Sequence, residues 1–352
     1  MSTDKEVIVF DGHNDTIKEI YLSDRNFFVQ SNHGHIDLPR SRQGGMKGGF
    51  FAMLVIPESI EERSFGYGLT ITGKGWAVDY PKAIEHGYAV KFSNELLEFV
   101  LKLAKESQEI KIVRTFNQLR QCLEQNIFAM VLHFEGAEAI DVNLTNLGYY
   151  YEKGLRSLGL VWSRPNVFGS GVPFKFPYDP NTGTGLTEAG KSLVHKCNDM
   201  GIIIDLTHIN EKGFFDVAKI SKAPLVVSHA NVHSICPSTC NLIDAQIDAV
   251  GNSGGVIGVN FDIINTRPDG KLITDTPLRF IIQHIDYLVG RIGINHVAFG
   301  SDFDGAQMPK DLKSAADLPK LIDALRKNGY SDEDLAKITY KNWLRVIKET
   351  WK

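Results

Sequence analysis

Five stretches of the chain carry histidine, carboxylates or both, the residue types that hold divalent metal ions. They are Asp11-Gly12-His13-Asn14-Asp15, His133-Phe134-Glu135-Gly136, Asp205-Leu206-Thr207-His208, Ser228-His229 and Gly300-Ser301-Asp302-Phe303-Asp304-Gly305. Imidazole nitrogen and carboxylate oxygen together suit zinc or another divalent transition metal. Side chains alternate along an extended segment, so His13 and Asp15 share one side and can grip one ion while Asn14 points away. The candidate ligands His13, Asp15, Glu135, His208 and His229 exceed what one tetrahedral zinc with an open position requires. Two ions sharing a carboxylate, with a water between them, is the economical reading. A single histidine is more often a hydrogen-bonded structural residue, and it is the gathering of five that favours the metal. Asp11 and Asp205 are expected to hydrogen-bond to ligands as readily as to act directly. His133, two residues before Glu135, is expected behind the ligands or in the core. His229, His233, Cys236 and Cys240 imitate a short zinc ribbon. Their run joins a strand to a helix without the longer loop between ligand pairs, so no structural zinc is expected there.

Each ligand-bearing stretch ends a short apolar run. The runs are Val7–Phe10, Gly49–Ile56, Phe128–Leu132, Leu155–Trp162, Ile202–Leu206, Leu225–Val227, Gly255–Val259 and Val297–Phe299. Most are continuous rather than alternating, as in parallel strands buried on both faces. Helical periodicity lies between them at Phe92–Ala104, Leu186–Met200, Glu211–Ile220, Leu242–Val250 and Leu278–Ile292, and Ser331–Trp351 closes the chain. Eight strands alternating with helices predict a (β/α)8 TIM-type barrel of the metal-dependent hydrolase kind, one catalytic domain over residues 1–352. Periodicity does not show closure, so a doubly wound open sheet is the alternative; no Gly-x-Gly-x-x-Gly follows the first strand to make it dinucleotide-binding. In a barrel, residues just past the strands converge on the catalytic face.

The 352 residues are 43% hydrophobic and 23% charged, ordinary globular composition. A formal net charge of −4 carries no broad footprint for nucleic acid or an anionic membrane. Cys122, Cys197, Cys236 and Cys240 are too few for a secreted disulfide scaffold. The first residues lack the basic and apolar regions of a signal peptide, and no stretch is apolar enough to span a bilayer. The expected location is cytoplasmic. The expected partners are a small-molecule substrate (a dipeptide or related amide) and, as an option, a second copy of the chain as a homodimer.

The ordered set of motifs resembles the membrane (renal) dipeptidase family of zinc peptidases, family M19. The likeness runs from Asp11-Gly12-His13-Asn14-Asp15 to Asn342-Trp343-Leu344-Arg345-Val346. It includes His35-Ile36-Asp37-Leu38-Pro39 with Gly44-Gly45, Gly185-Leu186-Thr187, Asp205-Leu206-Thr207-His208, Ser228-His229-Ala230-Asn231 and the Gly300–Gly305 run. The resemblance implies a (β/α)8 barrel with two zinc ions, His13 and Asp15 holding one, His208 and His229 the other, and Glu135 bridging. It implies that Asp302 contacts the bridging water and manages its proton, passing one to the leaving amine.

Two positions depart from the family pattern. Trp162 stands where the animal enzymes place a substrate-contacting histidine, as in bacterial-type members, which share Trp162 followed by Asn166. More sharply, the run Cys236-Pro237-Ser238-Thr239-Cys240-Asn241 puts Cys240 where the family has an Arg that binds the substrate's carboxylate. A thiol cannot make a bidentate charged pair. Either another cation such as Arg164 substitutes, or the substrate lacks that carboxylate. Trp162, Arg164, Asn166 and Cys240 are therefore the expected substrate contacts. The first function expected is a dinuclear zinc dipeptidase. The alternatives are an amidohydrolase for a modified or non-peptide amide, and a metal-binding protein without turnover; the presence of all ligands and Asp302 argues against the last.

Overall fold

The apolar runs become eight parallel strands that we number β1 (Val9–Asn14), β2 (Met46–Met53), β3 (Phe128–Glu135), β4 (Leu155–Gly159), β5 (Ile203–Asp205), β6 (Val226–Val227), β7 (Val256–Val259) and β8 (Val297–Phe299). They pair in that order in a computed structural model, which describes residues 8–23, 25–59, 62 and 68–352. Val7, the start of the first expected strand, and the N-terminal residues before it lie outside the described residues. Closure comes just beyond β8. Asn14 bridges Phe303 in parallel register, Asp302 N donates to His13 O at 3.0 Å and Asp15 N to Phe303 O at 2.9 Å. The last link of the barrel is thus made by the residues that flank the candidate ligands.

Period two explains why the strands read as continuous apolar runs. Ala129 and Val131 of β3 pack with Phe10, Phe50, Ile203, Val226, Val256 and Ala298 in one cluster, whereas Phe128, Met130 and Leu132 pack in another. Both faces are buried. Trp343 of the C-terminal helix plugs the first cluster, its indole N–H donating to Phe299 O at 2.8 Å. A Cβ on Gly12 would lie 2.3 Å from the Trp343 ring, so β1 needs glycine where it passes the plug.

The helices begin where side chains can satisfy free N–H groups. Thr187 caps Glu188–Met200 by accepting from Gly190 N, and Asn210 caps Glu211–Ile220 by accepting from Gly213 N. The helix expected at Phe92–Ala104 runs from His86 to Glu106. Ser331–Trp351 is not one helix: a wide π turn at Lys337–Lys341 separates Asp332–Ala336 from Asn342–Thr350. A small antiparallel sheet of Leu69–Thr72, Gly75–Val78 and Lys175–Phe176 lies apart from the barrel strands. No helix among the described residues is long and apolar enough to cross a membrane.

Candidate metal centre and active site

Glu135 ends β3 with the inward parity of Ala129, Val131 and His133, which carries its carboxylate to the barrel axis. Its two oxygens face two different groups. Oε2 lies 3.5 Å from His13 Nε2, and the same nitrogen is 3.7 Å from Asp15 Oδ2. Oε1 lies 3.0 Å from His208 Nε2 and 3.8 Å from His229 Nε2, the two imidazole nitrogens being 3.2 Å apart. Ligand atoms of His13, Asp15 and Glu135 fall within 4.8 Å of one another, and so do those of Glu135, His208 and His229.

The donors are buried and in need of a partner. His13 Nε2 and Glu135 Oε2 have no hydrogen bond. An unsatisfied buried polar atom costs about 1–3 kcal/mol. A divalent cation placed between such atoms would satisfy them, and three imidazoles with two carboxylates are zinc-type donors. Burial pushes the Glu135 carboxyl up, but His13 and His208 outweigh it and hold the group well below the ordinary range. Burial opposes a charge on His13, yet Glu135 and Asp15 raise it well above its usual value. The acids thus favour positive charge at His13, whereas burial and the neighbouring imidazoles His13 and His208 hold His229 well below its usual value.

Neighbours hold the candidate ligands in place. Ser163 Oγ lies 2.9 Å from His208 Nδ1 and Ser228 Oγ 2.8 Å from His229 Nδ1, which leaves each Nε2 facing Glu135. Asp205 accepts from Ser228 Oγ at 2.5 Å, Ser228 N at 2.8 Å and Thr207 Oγ1 at 2.9 Å. It also stands in a third close group with His13 and His229. Asp11 accepts from Ser301 N and Ser301 Oγ, each at 2.8 Å, and burial pushes its carboxyl up to about 6 against those bonds. His133 lies behind the candidate ligands, 3.0 Å from Ser157 Oγ and 3.5 Å from Asp205 Oδ2. His208 and Asp302 both adopt left-handed backbone, φ 65° and 60°, where side chains are strained and functional residues concentrate.

Asp302 stands beside Asp15 and accepts from Asn260 Nδ2 at 3.0 Å. A Cβ on Gly305 would lie 2.1 Å from Asp15 Oδ2 and 2.6 Å from Asp302 Oδ1, so a larger residue would press on both carboxylates. Burial, with Asp262, Asp15 and Glu135 adding to it, raises the Asp302 carboxyl well above its ordinary value. A carboxyl so placed can hold and release a proton.

The expected substrate contacts divide. Trp162 is half-buried at the site, its ring 6.0 Å from that of His208 and 5.4 Å from Phe174. Cys240 is close enough to Asp262 and Asp302 to feel both charges, and burial pushes its thiol up to about 12. Arg164 is turned inward: its Nε donates to Glu138 Oε1 at 2.7 Å and its Nη2 to Val55 O at 2.6 Å, at 1% exposure. Asn166 bonds to its own loop, donating to Leu160 O at 2.8 Å and accepting from Phe168 N at 2.9 Å. The ribbon-like set stays apart: His233 Nε2 lies 2.9 Å from Tyr178 O and Cys236 Sγ donates to Ile264 O at 3.7 Å. All four cysteines are free and buried. Lys18 and Phe174 were not anticipated. Lys18 could have been read from its i+3 spacing after Asp15; Phe174 sits in a loop whose path no local pattern encodes.

A (β/α)8 barrel with clustered His, Asp and Glu at its strand ends defines a metal-dependent hydrolase of the amidohydrolase fold. Comparison with known proteins narrows the class: the family model of the membrane dipeptidases, peptidase family M19, matches residues 2–352. The chain belongs to that family, whose members are metallodipeptidases. It is 44% identical over 249 residues, 71% of this chain and 92% of the other, to an uncharacterised protein in the pqqA 5′ region of Klebsiella pneumoniae. It is 25% identical to the dipeptidase tcpJ of Claviceps purpurea, across 96% of this chain and 76% of that one. Among solved structures, a metallopeptidase from Rhodobacter sphaeroides, liganded with a phosphinate mimic of the dipeptide L-Ala-D-Ala, superposes with a TM-score of 0.94. The two are 39% identical over 99% of this chain and 100% of that one.

Proposed function

We propose that the chain is a zinc-dependent dipeptidase that uses two metal ions per molecule, the whole barrel acting as one catalytic domain. The carrying observation is the Glu135 carboxylate, with His13 and Asp15 at one oxygen and His208 and His229 at the other. In this reading His13, Asp15 and Glu135 hold one ion, and Glu135, His208 and His229 the other. Bound there, divalent ions would lower the pKa of a water and polarise the scissile carbonyl. Asp302 takes a proton from the attacking water and passes it to the leaving amine, kept in reach by Asn260. Trp162 and Phe174 form an apolar wall beside His208 against which a short substrate can lie. The dipeptide mimic bound by the Rhodobacter sphaeroides relative supports a dipeptide as substrate.

The reading is tested with protein stripped by chelator and then loaded with zinc, assayed on L-Ala-L-Ala and L-Ala-D-Ala. Turnover should vanish on stripping and return with the metal. No turnover in any metal-loaded form, or turnover untouched by stripping, would contradict it. A second reading, hydrolysis of an amide lacking a free carboxylate, is favoured by Cys240 and by the inward turn of Arg164.

A further inference from the structure

Asp15 is a divided carboxylate. Its Oδ2 faces His13 Nε2 at 3.7 Å, and its Oδ1 faces Lys18 Nζ at 3.2 Å. Lys18 belongs to the short helix Thr16–Leu22 that leaves β1, and its i+3 spacing puts it on the same face as Asp15. The pair is withdrawn from water, the side chains being 12% and 4% exposed. A second carboxylate, Glu19, lies farther off, 4.0 Å from Nζ, and is 40% exposed. The main partner of this ammonium is therefore the carboxylate that also faces His13.

The other half of the centre has no such neighbour among the described residues. His208 and His229 bond through their rings to Ser163, Ser228, Glu135 and each other. The two proposed metal positions thus differ in kind. One has an ammonium against its own carboxylate, and the other has neutral serines behind its imidazoles.

We infer that Lys18 weakens metal binding at the His13–Asp15 position, so that this ion is the more readily lost than it would be beside a neutral residue. The inference rests on the two-ion reading above. Two divalent ions bring four positive charges to a site whose bridging and terminal carboxylates, Glu135 and Asp15, supply two negative ones. Lys18 adds a fifth positive charge in a region screened poorly by solvent, where like charges a few ångströms apart repel strongly. It also holds part of the Asp15 charge at Oδ1 through the 3.2 Å ion pair, making Oδ2 a poorer donor. Groups that touch metal ligands in this way commonly change metal affinity by about 10–100-fold. Here the sign is a loss, because the neighbour is a cation rather than an acceptor. Lys18 acts through Asp15; it is a tuning residue and not a ligand.

Chelator competition on the full chain gives the test, with zinc as the only added ligand and fractional saturation, not activity, as the readout. Wild type should show two dissociation constants. Lys18→Met, similar in length and uncharged, should tighten one of them by about 10–100-fold and leave the other within a few-fold. Lys18→Arg, which keeps the charge, should restore the wild-type values. Thermal unfolding of the metal-free proteins reports whether each variant folds; if Lys18→Met does not, Lys18→Gln is read in the same assay. Two constants unchanged in the neutral variant, or a weaker one, would overturn the inference and make Lys18 a support for Asp15. A wild type that takes up one ion at every zinc concentration would instead end the two-ion reading, and this inference with it.

Discussion

Asp302 combines three features of a proton-transfer group: a strained backbone, a neighbouring donor in Asn260, and a carboxyl raised by burial and nearby acids. General acid–base groups contribute about 10²–10⁴-fold. Asp302→Asn should therefore keep its metal content by elemental analysis and lose turnover within that range on a verified dipeptide. Turnover within a few-fold of wild type would show that the proton moves elsewhere. Cys240 carries a different prediction. A desolvated charged partner for a carboxylate is worth about 2–5 kcal/mol, so a dipeptide meeting a thiol should be bound poorly. Cys240→Arg should raise kcat/KM for a free-acid dipeptide over its C-terminal amide by about tenfold or more. If wild type already prefers the acid strongly and the variant does nothing, another cation holds the carboxylate. The gathering of the candidate ligands was legible because each follows an apolar strand, and strand ends in this fold share one face. The engagement of Arg164 was not legible. Its partners Glu138 and Val55 lie 26 and 109 residues away, and no local pattern announces such pairs.

Loops at this scale do the positioning. Gly305→Ala would push a methyl group against Asp15 and Asp302, and overpacking of this kind costs about 1–3 kcal/mol. The expected result is weaker zinc retention in dialysis against chelator with little change in secondary structure. Unchanged retention would mean that the loop yields freely. The loop after β6, which follows His229, is anchored through buried His284. Its Nδ1 accepts from Val232 N at 3.2 Å and its Nε2 faces Thr266 O at 3.1 Å, which requires the neutral ring with its proton on Nε2. Burial lowers its pKa from 6.5 to about 4. Below about pH 6.5 the unfolded chain therefore takes up a proton that the folded chain refuses. The stability contribution is complete above that pH and is lost as pH falls toward 4, by about 3 kcal/mol. His284→Gln should flatten this part of the denaturant-derived stability profile, whereas parallel profiles for variant and wild type would refute the assignment. Strands and long helices were readable from apolar period, but the small sheet at Leu69–Thr72, Gly75–Val78 and Lys175–Phe176 was not. Its strands are short, and the first is mostly exposed, so burial left no pattern to read.

Across the whole molecule, barrel and metal centre are separable in stability and joined in function. The two large apolar clusters fill the barrel and its surround. Chelated protein should remain folded. Zinc should raise its unfolding free energy by about 2.7 kcal/mol at a hundredfold excess over the dissociation constant, read as a shift in Tm. The class of fold could be read from eight apolar runs, but closure could not, because it depends on Asn14, Asp15, Asp302 and Phe303 meeting beyond the ends of the strands. That same meeting brings the first and last strands' acids to one place. The central claim, two ions sharing Glu135, is tested most directly by diffraction from zinc-loaded crystals at the zinc absorption edge. The account predicts two anomalous peaks per chain, one on each side of the Glu135 carboxylate. A single peak, or two that do not flank Glu135, would contradict it.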